Sequence, residues 1–430
     1  MTRWSFETRQ IHAGASPDPA TGARATPIYA TSSFVFADAG QAADSFALRD
    51  LETHAYTRLS NPTTAVVEER LADLENGIGA VAVASGQAAS ALAVLNLARA
   101  GDHVVSAAAL YGGTFNLFAY TLADFGITVD FVTDADDPAA WRAALRPNTK
   151  ALYGESVSNP SGAVLDVELV AGIAHEAGVP LIVDNTVPTP FLTRPLDHGA
   201  DLVVHSTTKF LSGHGTGIGG VVVDGGKFDF QASPERWPQL NQPDPSYQGL
   251  VFGERFGSLA YLLRLRTKLV RDLGPAVSPF TSFLLLQGIE TLSLRMTRHV
   301  ANARAIAEWL WAQPLVERVH YPGLPGDRWH EAALRYLPDG PGAVLAFELT
   351  GGLEAGKRFV DSLSLFSHLA NIGDVRSLVI HPASTTHAQL DETQQRAGGV
   401  TPGLIRLSAG LEGIGDLLAD LERGMEKAHG

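Results

Sequence analysis

The chain has 430 residues, of which 45% are hydrophobic and 18% charged, a composition typical of a globular protein rather than a disordered one. It contains no cysteine, which excludes a disulfide scaffold, a thiolate zinc site, an iron–sulfur cluster and a cysteine nucleophile. The formal net charge of −14 argues against nucleic acid or an acidic membrane surface as a partner, because both bind to basic surfaces. The first residues carry charges and no apolar segment, and no apolar run reaches roughly 18 residues, so we expect a cytoplasmic protein without a membrane span.

The first half of the chain predicts an α/β domain. Residues 1–65 lack sustained periodicity and predict an irregular N-terminal arm, and apolar residues at helical spacing from Thr63 predict a helix that ends before Gly77. Short apolar runs then alternate with helical patterns. We predict strands at 80–85, 103–107, 128–133, 150–156, 180–185, 202–206 and 219–224. This alternation predicts a mainly parallel sheet that is covered by helices on both faces.

The second half predicts a long loop followed by a smaller domain. Residues 225–257 contain four prolines and several aromatic side chains and predict an ordered functional loop. Helices are predicted at 258–272 and 278–312, and strand-like runs from Val316 onward predict a smaller α/β domain. We therefore divide the chain into an N-terminal arm (1–65), a large domain (66–275) and a C-terminal small domain (276–430).

Polar residues that follow apolar runs are the candidates for function, because ligands bind beyond the carboxyl ends of parallel strands. The segment Ser85-Gly86-Gln87 opens a predicted helix and could bind an anion, although a serine N-cap explains the same residues equally well. Asp184 ends a predicted strand, where a carboxylate could cap a helix, bind a metal ion or pair with a cationic ring nitrogen.

Two basic residues stand in unusually apolar surroundings. Lys209, in HSTTKFLSGHG, follows a predicted strand among hydroxyl and apolar side chains, a setting that lowers the pKa of an amine and makes it nucleophilic toward an aldehyde. Arg406, in GLIRLSAG, needs an anionic partner. That partner could be a substrate carboxylate or an internal acidic residue.

Three other motifs predict no site. The glycines of 215–220 satisfy G-x-G-x-x-G but lead into a strand-like run rather than a helix, which argues against a dinucleotide site. Residues 351–357 resemble a phosphate-binding loop, yet Arg358 stands where magnesium coordination needs Ser or Thr, so we predict an ordinary strand–turn–helix. His381 and His387 lack zinc-type spacing, and we expect no metal site.

Asp184 and Lys209 together match the two groups with which proteins tune pyridoxal 5'-phosphate (PLP), an acid for the ring nitrogen and a lysine for the Schiff base. The stretch DLVVHSTTKFLSGHG at 201–215 resembles, at every position, the PLP-attachment signature of the cysteine/methionine-metabolism family of PLP enzymes. Further family segments follow in order, namely YTRLSNPT at 56–63, ASGQAA at 84–89, YGGT at 111–114, ESVSNPSG at 155–162, VDNT at 183–186 and RLSAGLE at 406–412. The resemblance covers nearly the whole chain and implies the fold-type I PLP-dependent transferase architecture.

Within this family the chain is most similar to the O-acetylhomoserine sulfhydrylase group, in the segment 225–257 and in ANIGDVRSLVIHPASTTH at 370–387. Gly113 stands where several γ-lyases carry a reactive cysteine, which disfavours the methionine γ-lyase type. The resemblance implies a transferase of methionine biosynthesis that converts O-acetyl-L-homoserine and sulfide to L-homocysteine and acetate. Cystathionine γ-synthase, O-succinylhomoserine sulfhydrylase and a methionine or cystathionine γ-lyase stay open as alternatives. The alternative of an NAD-dependent oxidoreductase is supported only by the glycine run at 215–220, which does not precede a predicted helix.

The resemblance also implies roles for individual residues around the cofactor. Lys209 would bind PLP and transfer protons, Asp184 would pair with the ring nitrogen, and Tyr111 would stack on the ring. The implied phosphate ligands are Ser85, Gly86, Gln87, Ser206 and Thr208.

Two further groups of residues are implied. Arg406 would bind the substrate carboxylate, with Asn159 and Ser377 nearby. Tyr56 and Arg58 would reach the phosphate in a neighbouring subunit, so we expect an obligatory homodimer and, beyond it, a homotetramer.

Overall fold

Two β-sheets organise the chain in the computed structural model, which describes residues 4–385 and 400–429. The strands of the large sheet are β1 (Gly79–Val83), β2 (His103–Ala107), β3 (Thr128–Val132), β4 (Thr149–Glu155), β5 (Leu181–Asp184), β6 (Leu202–Ser206) and β7 (Gly220–Asp224). Those of the small sheet are β8 (Val316–His320), β9 (Val344–Leu349), β10 (Ser367–His368), β11 (Leu378–Ile380) and β12 (Leu404–Ser408).

The large sheet has the strand order β1-β7-β6-β5-β4-β2-β3. Strand β7 runs antiparallel to both of its neighbours, and the remaining pairs are parallel. Its inner strands read as continuous Val-, Ile- and Leu-rich runs because both of their faces are buried. The α/β fold with a mainly parallel sheet is therefore confirmed.

Helices cover the sheets and connect their strands. The α-helices of the first sheet region are α1 (Phe6–His12), α2 (Ala39–Phe46), α3 (Pro62–Glu75), α4 (Gly86–Leu95), α5 (Gly112–Asn116), α6 (Leu122–Asp124), α7 (Pro138–Ala144), α8 (Val167–Glu176) and α9 (Thr189–Leu192). Those that follow are α10 (Pro238–Asn241), α11 (Phe252–Phe256), α12 (Ala260–Arg264), α13 (Arg271–Leu273), α14 (Pro279–Ile289), α15 (Leu292–Trp311), α16 (His330–Tyr336), α17 (Gly352–Ser362) and α18 (Ile414–His429). No helix in these two described stretches is long and apolar enough to cross a membrane.

Local sequence signals fix the ends of the helices that border the large sheet. Asn61 caps α3 by accepting a hydrogen bond from the backbone N–H of Thr63, and Pro62 occupies the first helical turn, where no N–H is needed. Asn76 ends the helix in the left-handed conformation, with φ of 64°. Ser85 caps α4 by accepting from the N–H of Ala88 at 3.1 Å. These caps fix the residues at which α3 begins and ends and at which α4 begins.

The N-terminal arm is more ordered than its sequence predicts. It contains α1 and α2, and Arg9 of α1 donates from Nε to the Asp73 carboxylate of α3 at 2.7 Å. Such short helices depend on tertiary contacts more than on their own periodicity, which is why the sequence pattern missed them. The helix predicted at 278–312 is also two helices, α14 and α15, separated at Glu290 and Thr291.

The small sheet has the order β10-β11-β12-β9-β8, and β12, which carries Arg406, lies in its middle. One hydrophobic core joins the two sheets, since Val183 and Val203 of the large sheet belong to the same cluster as Leu345 and Ile405 of the small one. The two sheets therefore hold a shared cleft between them. The domain boundaries at 65 and 275 stay predictions.

The remaining sequence motifs fall in ordinary structural positions. The glycine run 215–220 leads into β7, and residues 351–357 form the turn and first residues of α17 after β9, as predicted. The loop 225–257 is ordered around an aromatic cluster in which the rings of Phe230 and Trp237 lie 5.3 Å apart. The His381 ring bonds to the Ser384 hydroxyl and the Pro402 carbonyl, whereas His387 lies outside the described residues.

Candidate active site

A cavity of about 260 Å³ lies at the carboxyl ends of β1, β4, β5 and β6, between the two sheets. The large sheet contributes most of its lining, and the small domain closes it with residues 370–372 and Arg406. This is the position at which parallel sheets bind their ligands, because the loops that leave adjacent strands diverge there.

One end of the cavity is suited to an anion. The N-terminus of α4, with Ser85, Gly86 and Gln87, lines this end of the cavity together with Ser206 and Thr208. A Cβ atom at Gly86 would lie 2.5 Å from the Cβ of Ser206, so only glycine allows the first turn of α4 to approach β6 this closely. The unpaired N–H groups of a helix start, together with two hydroxyls, form a phosphate-binding arrangement.

Asp184 lies at the end of β5, with its carboxylate at the cavity. Its Oδ1 accepts hydrogen bonds from the Thr186 N–H at 2.9 Å and the Thr186 hydroxyl at 2.5 Å. Burial raises the pKa of Asp184, while the hydrogen bonds from Thr186 and the charge of His205 act in the opposite direction. A cationic group in the cavity would stabilise this carboxylate in its charged form.

Lys209 lies three residues beyond the end of β6, and its Nζ donates to Oδ1 of Asn371 at 2.5 Å. Burial, and after it the charge of Arg406, lowers the pKa of the amine to about 8. An amine with this pKa is partly neutral near neutral pH and can attack an aldehyde.

Arg406 points from β12 into the cavity and has no acidic partner among the residues that the structure describes. Its Nη2 donates to the Asn371 carbonyl at 2.8 Å, and its Nη1 lies 3.5 Å from Oδ1 of Asn159, while the buried Nε has no partner in the described residues. Burial lowers the pKa of the guanidinium to about 10, so it stays charged at neutral pH. Because these partners are neutral, they do not neutralise the buried positive charge, and an anion bound in the cavity would do so.

Tyr111 forms one wall of the cavity, and Glu155 fixes its backbone. Oε1 of Glu155 accepts from the Tyr111 N–H at 2.6 Å. Burial and the neighbouring charge of Asp184 raise the pKa of Glu155 well above its usual value. A Cβ atom at Gly113 would lie 2.5 Å from the Tyr111 ring, so the absence of a side chain there leaves room for the ring.

The structure brings most of the predicted site residues together in this cavity. They are Ser85, Gly86, Gln87, Tyr111, Asn159, Asp184, Ser206, Thr208, Lys209 and Arg406.

Three predicted residues lie elsewhere. Ser377 is fully buried and is not among the lining residues, and its hydroxyl donates to Glu412 at 2.8 Å and accepts from the Gly410 N–H, so its place near the substrate stays a prediction. Tyr56 and Arg58 are exposed, with the guanidinium 5.3 Å from the tyrosine ring, and do not line the cavity of their own chain. Their contribution to a neighbouring subunit stays a prediction.

Asn371 is the main site residue that sequence reasoning missed. It joins the two basic groups, since its side chain accepts from Lys209 and its carbonyl accepts from Arg406. It lies in the segment ANIGDVRSL between β10 and β11, six residues before Ser377. Its flanking residues, Ala370 and Ile372, are a signal that could have found it, because a polar amide between apolar residues usually has a polar partner.

The donor set fits PLP. The α4 N-terminus with two hydroxyls suits the phosphate, the Asp184 carboxylate suits a protonated ring nitrogen, and Lys209 suits the aldehyde. The Nε of Arg406, which has no hydrogen-bond partner among the described residues, could donate to the carboxylate of an amino acid.

Comparisons with known proteins agree with this chemistry. The family model for Cys/Met metabolism PLP-dependent enzymes matches residues 7–426. The chain is 50% identical to an O-acetyl-L-homoserine sulfhydrylase of Leptospira meyeri, over 98% of this chain and 96% of that protein. It is 51% identical to a homocysteine synthase of Schizosaccharomyces pombe, over 98% of each.

A solved structure shows the same architecture. It is described as an O-acetylhomoserine (thiol)-lyase from Campylobacter jejuni and carries a pyridoxyl-lysine monophosphate. It matches with a TM-score of 0.95 and 39% identity, over 98% of this chain and 100% of that one. The chain therefore has the fold-type I architecture and belongs to the Cys/Met metabolism family of PLP-dependent enzymes.

Proposed function

We propose that this protein catalyses a PLP-dependent γ-replacement in which O-acetyl-L-homoserine and sulfide give L-homocysteine and acetate. One observation carries the proposal: a single cavity contains a lysine, a carboxylate and an anion-binding helix start for the cofactor, and a guanidinium whose Nε has no partner among the described residues, for an amino-acid carboxylate. The names of the relatives, O-acetyl-L-homoserine sulfhydrylase and homocysteine synthase, support this choice of reaction.

PLP supplies an electron sink that stabilises negative charge next to the substrate's amino group. Lys209 is the residue that removes the proton from Cα and returns it. Its pKa of about 8 lets the amine both accept and release a proton near neutral pH. The 2.5 Å hydrogen bond to Asn371 orients this amine within the cavity.

Asp184 keeps the ring nitrogen protonated, because its carboxylate favours a positive charge beside it. The two hydrogen bonds from Thr186 fix the direction of the carboxylate. Tyr111, whose backbone is held by Glu155, lines the cavity and would stack on the ring.

Arg406 binds the substrate carboxylate and so determines which bond at Cα faces Lys209. The guanidinium presents several donors in one plane, and the Asn159 amide lies beside it. Because Asn371 contacts both Arg406 and Lys209, the carboxylate site and the catalytic amine have a fixed relation to each other.

The charges around the cavity favour an acetyl over a succinyl leaving group. Among the described residues that line it, Lys209 and Arg406 are the cationic side chains, and both already have roles. The wall formed by Val157, Val187 and Ile218 is apolar. A succinyl ester would bring a second carboxylate into this cavity without a further cation to pair with it.

Product analysis tests the reaction and its alternatives. The holoenzyme is incubated with O-acetyl- or O-succinyl-L-homoserine, each with sulfide, with cysteine and with no nucleophile. We expect homocysteine from O-acetyl-L-homoserine and sulfide as the fastest reaction. Cystathionine as the main product with cysteine would indicate a cystathionine γ-synthase, a preference for the succinyl ester an O-succinylhomoserine sulfhydrylase, and a keto acid without nucleophile a γ-lyase.

A cytoplasmic homo-oligomer is part of the proposal, with Tyr56 and Arg58 completing the phosphate site of a neighbouring subunit. Both side chains are exposed and lie outside their own cavity, which leaves them free to do so. Arg58→Ala and Lys209→Ala proteins should each be nearly inactive. Mixed subunits should regain activity, because one site of the mixed dimer then has both groups. No recovery after demonstrated subunit exchange would place Arg58 in its own subunit's site.

A further inference from the structure

We propose that Arg295 and His299 of α15 are positioning residues that fix the amine of Lys209 relative to the carboxylate site at Arg406. The inference rests on the proposed function, since it presupposes that Lys209 and Arg406 act on one amino acid. It gives a role in turnover to a helix that is described throughout and contributes no residue to the cavity lining.

One buried face of α15 carries three polar side chains. Arg295, His299 and Asn302 follow each other at intervals of four and three residues, the spacing that puts side chains on one face of a helix. All three are at most 5% exposed. Buried polar groups need hydrogen-bond partners, and these three bond to two backbone segments, one that follows Lys209 and one that follows Arg406.

The turn that follows Lys209 is built around the guanidinium of Arg295. Nη1 donates to the Phe210 carbonyl at 2.7 Å, and Nη2 donates to the Leu211 carbonyl at 3.3 Å. The turn closes with the Gly213 N–H, which donates to the Lys209 carbonyl at 2.8 Å. A Cβ atom at Gly213 would clash with Nη1 of Arg295, so glycine leaves room for the guanidinium. These contacts fix the backbone from which the Lys209 side chain extends.

Arg295 has no acidic partner among the described residues. Its Nη2 also donates to the Gly288 carbonyl at 2.6 Å, and its Nε donates to the Thr291 hydroxyl at 3.2 Å. Burial lowers the pKa of the guanidinium to about 10, so it stays charged at neutral pH. A buried charge without an acidic partner is a poor source of stability, whereas three converging carbonyls need several donors in one plane. The shape of the turn therefore explains this arginine better than stability does.

His299 fixes the backbone on the small-sheet side. Its Nδ1 lies 2.6 Å from the carbonyl of Ala409, three residues after Arg406. The carbonyl can only accept, and burial lowers the pKa of the ring to about 4, so the neutral ring carries its proton on Nδ1. The Ala409 N–H donates to the Ala343 carbonyl at 2.9 Å and so continues the pairing of β12 with β9. The bond from His299 therefore holds the end of the strand from which Arg406 extends.

The same helix thus contacts the backbone next to both groups. The His299 ring also packs edge-on against Phe210, with centroids 5.2 Å apart, and Asn302 donates to the carbonyls of Gly410 and Glu412. Because a hydrogen-bonded helix is stiff over two turns, the Lys209 turn and the end of β12 keep a fixed distance. Loss of one contact should move one group relative to the other.

The test uses the holoenzyme and L-norvaline, an amino acid without a leaving group at Cγ. Its dissociation constant is measured from the change in visible absorption of the cofactor. The exchange of its Cα proton with deuterium oxide, at saturation, is followed by NMR. In Arg295→Lys, whose amine cannot reach all three carbonyls, exchange should slow about tenfold while the dissociation constant stays nearly unchanged.

His299 offers a deletion and a rescue. In His299→Phe the ring is kept but the donor is lost, so the dissociation constant should rise about fivefold, with a smaller effect on exchange. In His299→Asn the amide N–H can take the place of the Nδ1–H, and both quantities should return to wild-type values. A loss of stability alone would produce neither the split between the two quantities nor this rescue.

The matched controls are Arg70→Lys and His103→Phe. Both residues are fully buried, Arg70 with its Nε on the Ala13 carbonyl at 3.0 Å and His103 with its Nδ1 on the Thr149 hydroxyl at 2.9 Å. His103 begins β2, so it lies at the opposite end of the large sheet from the cavity. Neither control should change the dissociation constant or the exchange rate, even where the melting temperature falls.

Wild-type values in Arg295→Lys and His299→Phe, equal losses in the two controls, or a failure of His299→Asn to restore binding would overturn the inference. If Arg295→Lys does not fold, the two His299 variants decide. The exchange needs neither an acyl group nor sulfide. The expected pattern in an enzyme that fails to convert O-acetyl-L-homoserine would therefore support the inference and reject the proposed reaction.

Discussion

The two sides of the cavity differ in how the chain fixes their functional groups. On the large-sheet side, Asp184 is the last residue of β5 and Lys209 follows the end of β6 by three residues, so buried strands fix both backbones. On the small-domain side, Arg406 lies in β12, the middle strand of the small sheet, but Asn371, whose carbonyl accepts from its guanidinium, lies in the loop between β10 and β11. The cofactor half is therefore built at the ends of strands of the large sheet, whereas the substrate half combines a strand of the small sheet with a loop.

The largest effect is expected from breaking the cofactor half. Asp184→Ala should lower kcat by roughly 10²-fold or more, because the ring nitrogen loses the carboxylate that keeps it protonated. PLP binding should weaken far less, since the phosphate site around Ser85 and Ser206 is intact. Steady-state kinetics and a PLP titration of the apoprotein measure the two effects. A wild-type kcat in this variant would reduce Asp184 to a cap for the turn at Thr186.

A smaller effect is expected from the substrate half. Arg406→Lys keeps the positive charge but loses the planar set of donors, so the carboxylate binds loosely and Cα is misplaced. We expect kcat/KM to fall at least tenfold, about 1.4 kcal/mol of transition-state stabilisation, with a normal visible spectrum. Unchanged kinetics would show that the guanidinium does not bind the substrate.

The smallest effect on kcat is expected in the segment between β10 and β11, where two polar residues should differ in their roles. Asn371→Ala removes the acceptor for Lys209 and should lower kcat several-fold, because the amine loses its orientation. Ser377→Ala, six residues on, removes a hydroxyl that bonds to Glu412 and Gly410 and should affect thermal stability but not kcat. Kinetics and melting curves of the two variants should therefore show opposite patterns. Equal kcat losses would place Ser377 at the substrate as well, and an unchanged kcat in Asn371→Ala would contradict the assignment of Asn371 to the site.

The same contrast explains which parts of the fold and of the site could be predicted from the sequence. The strands at 103–107 and 202–206 were predicted to the residue, because fully buried strands are continuous apolar runs. Asp184 and Lys209 were found because they follow such runs. Asn371 was missed, since a loop without periodicity does not show which of its polar residues faces the cavity.

Glu155 was missed for another reason. It belongs to a correctly predicted strand, but its position next to Asp184 depends on the pairing of β4 with β5, and the sequence of either strand alone does not contain that register. The short helices α1 and α2 likewise depend on packing against distant residues, as the contact between Arg9 and Asp73 shows.

Borohydride reduction of the holoenzyme identifies the lysine that binds PLP. The reagent converts a carbon–nitrogen double bond between PLP and a lysine into a stable amine, which peptide mapping can locate. We expect one pyridoxyl-modified peptide that contains Lys209, and no modified peptide in Lys209→Ala, whose activity should fall by roughly 10³-fold or more. A label on any other lysine, or retained activity in Lys209→Ala, would contradict this assignment.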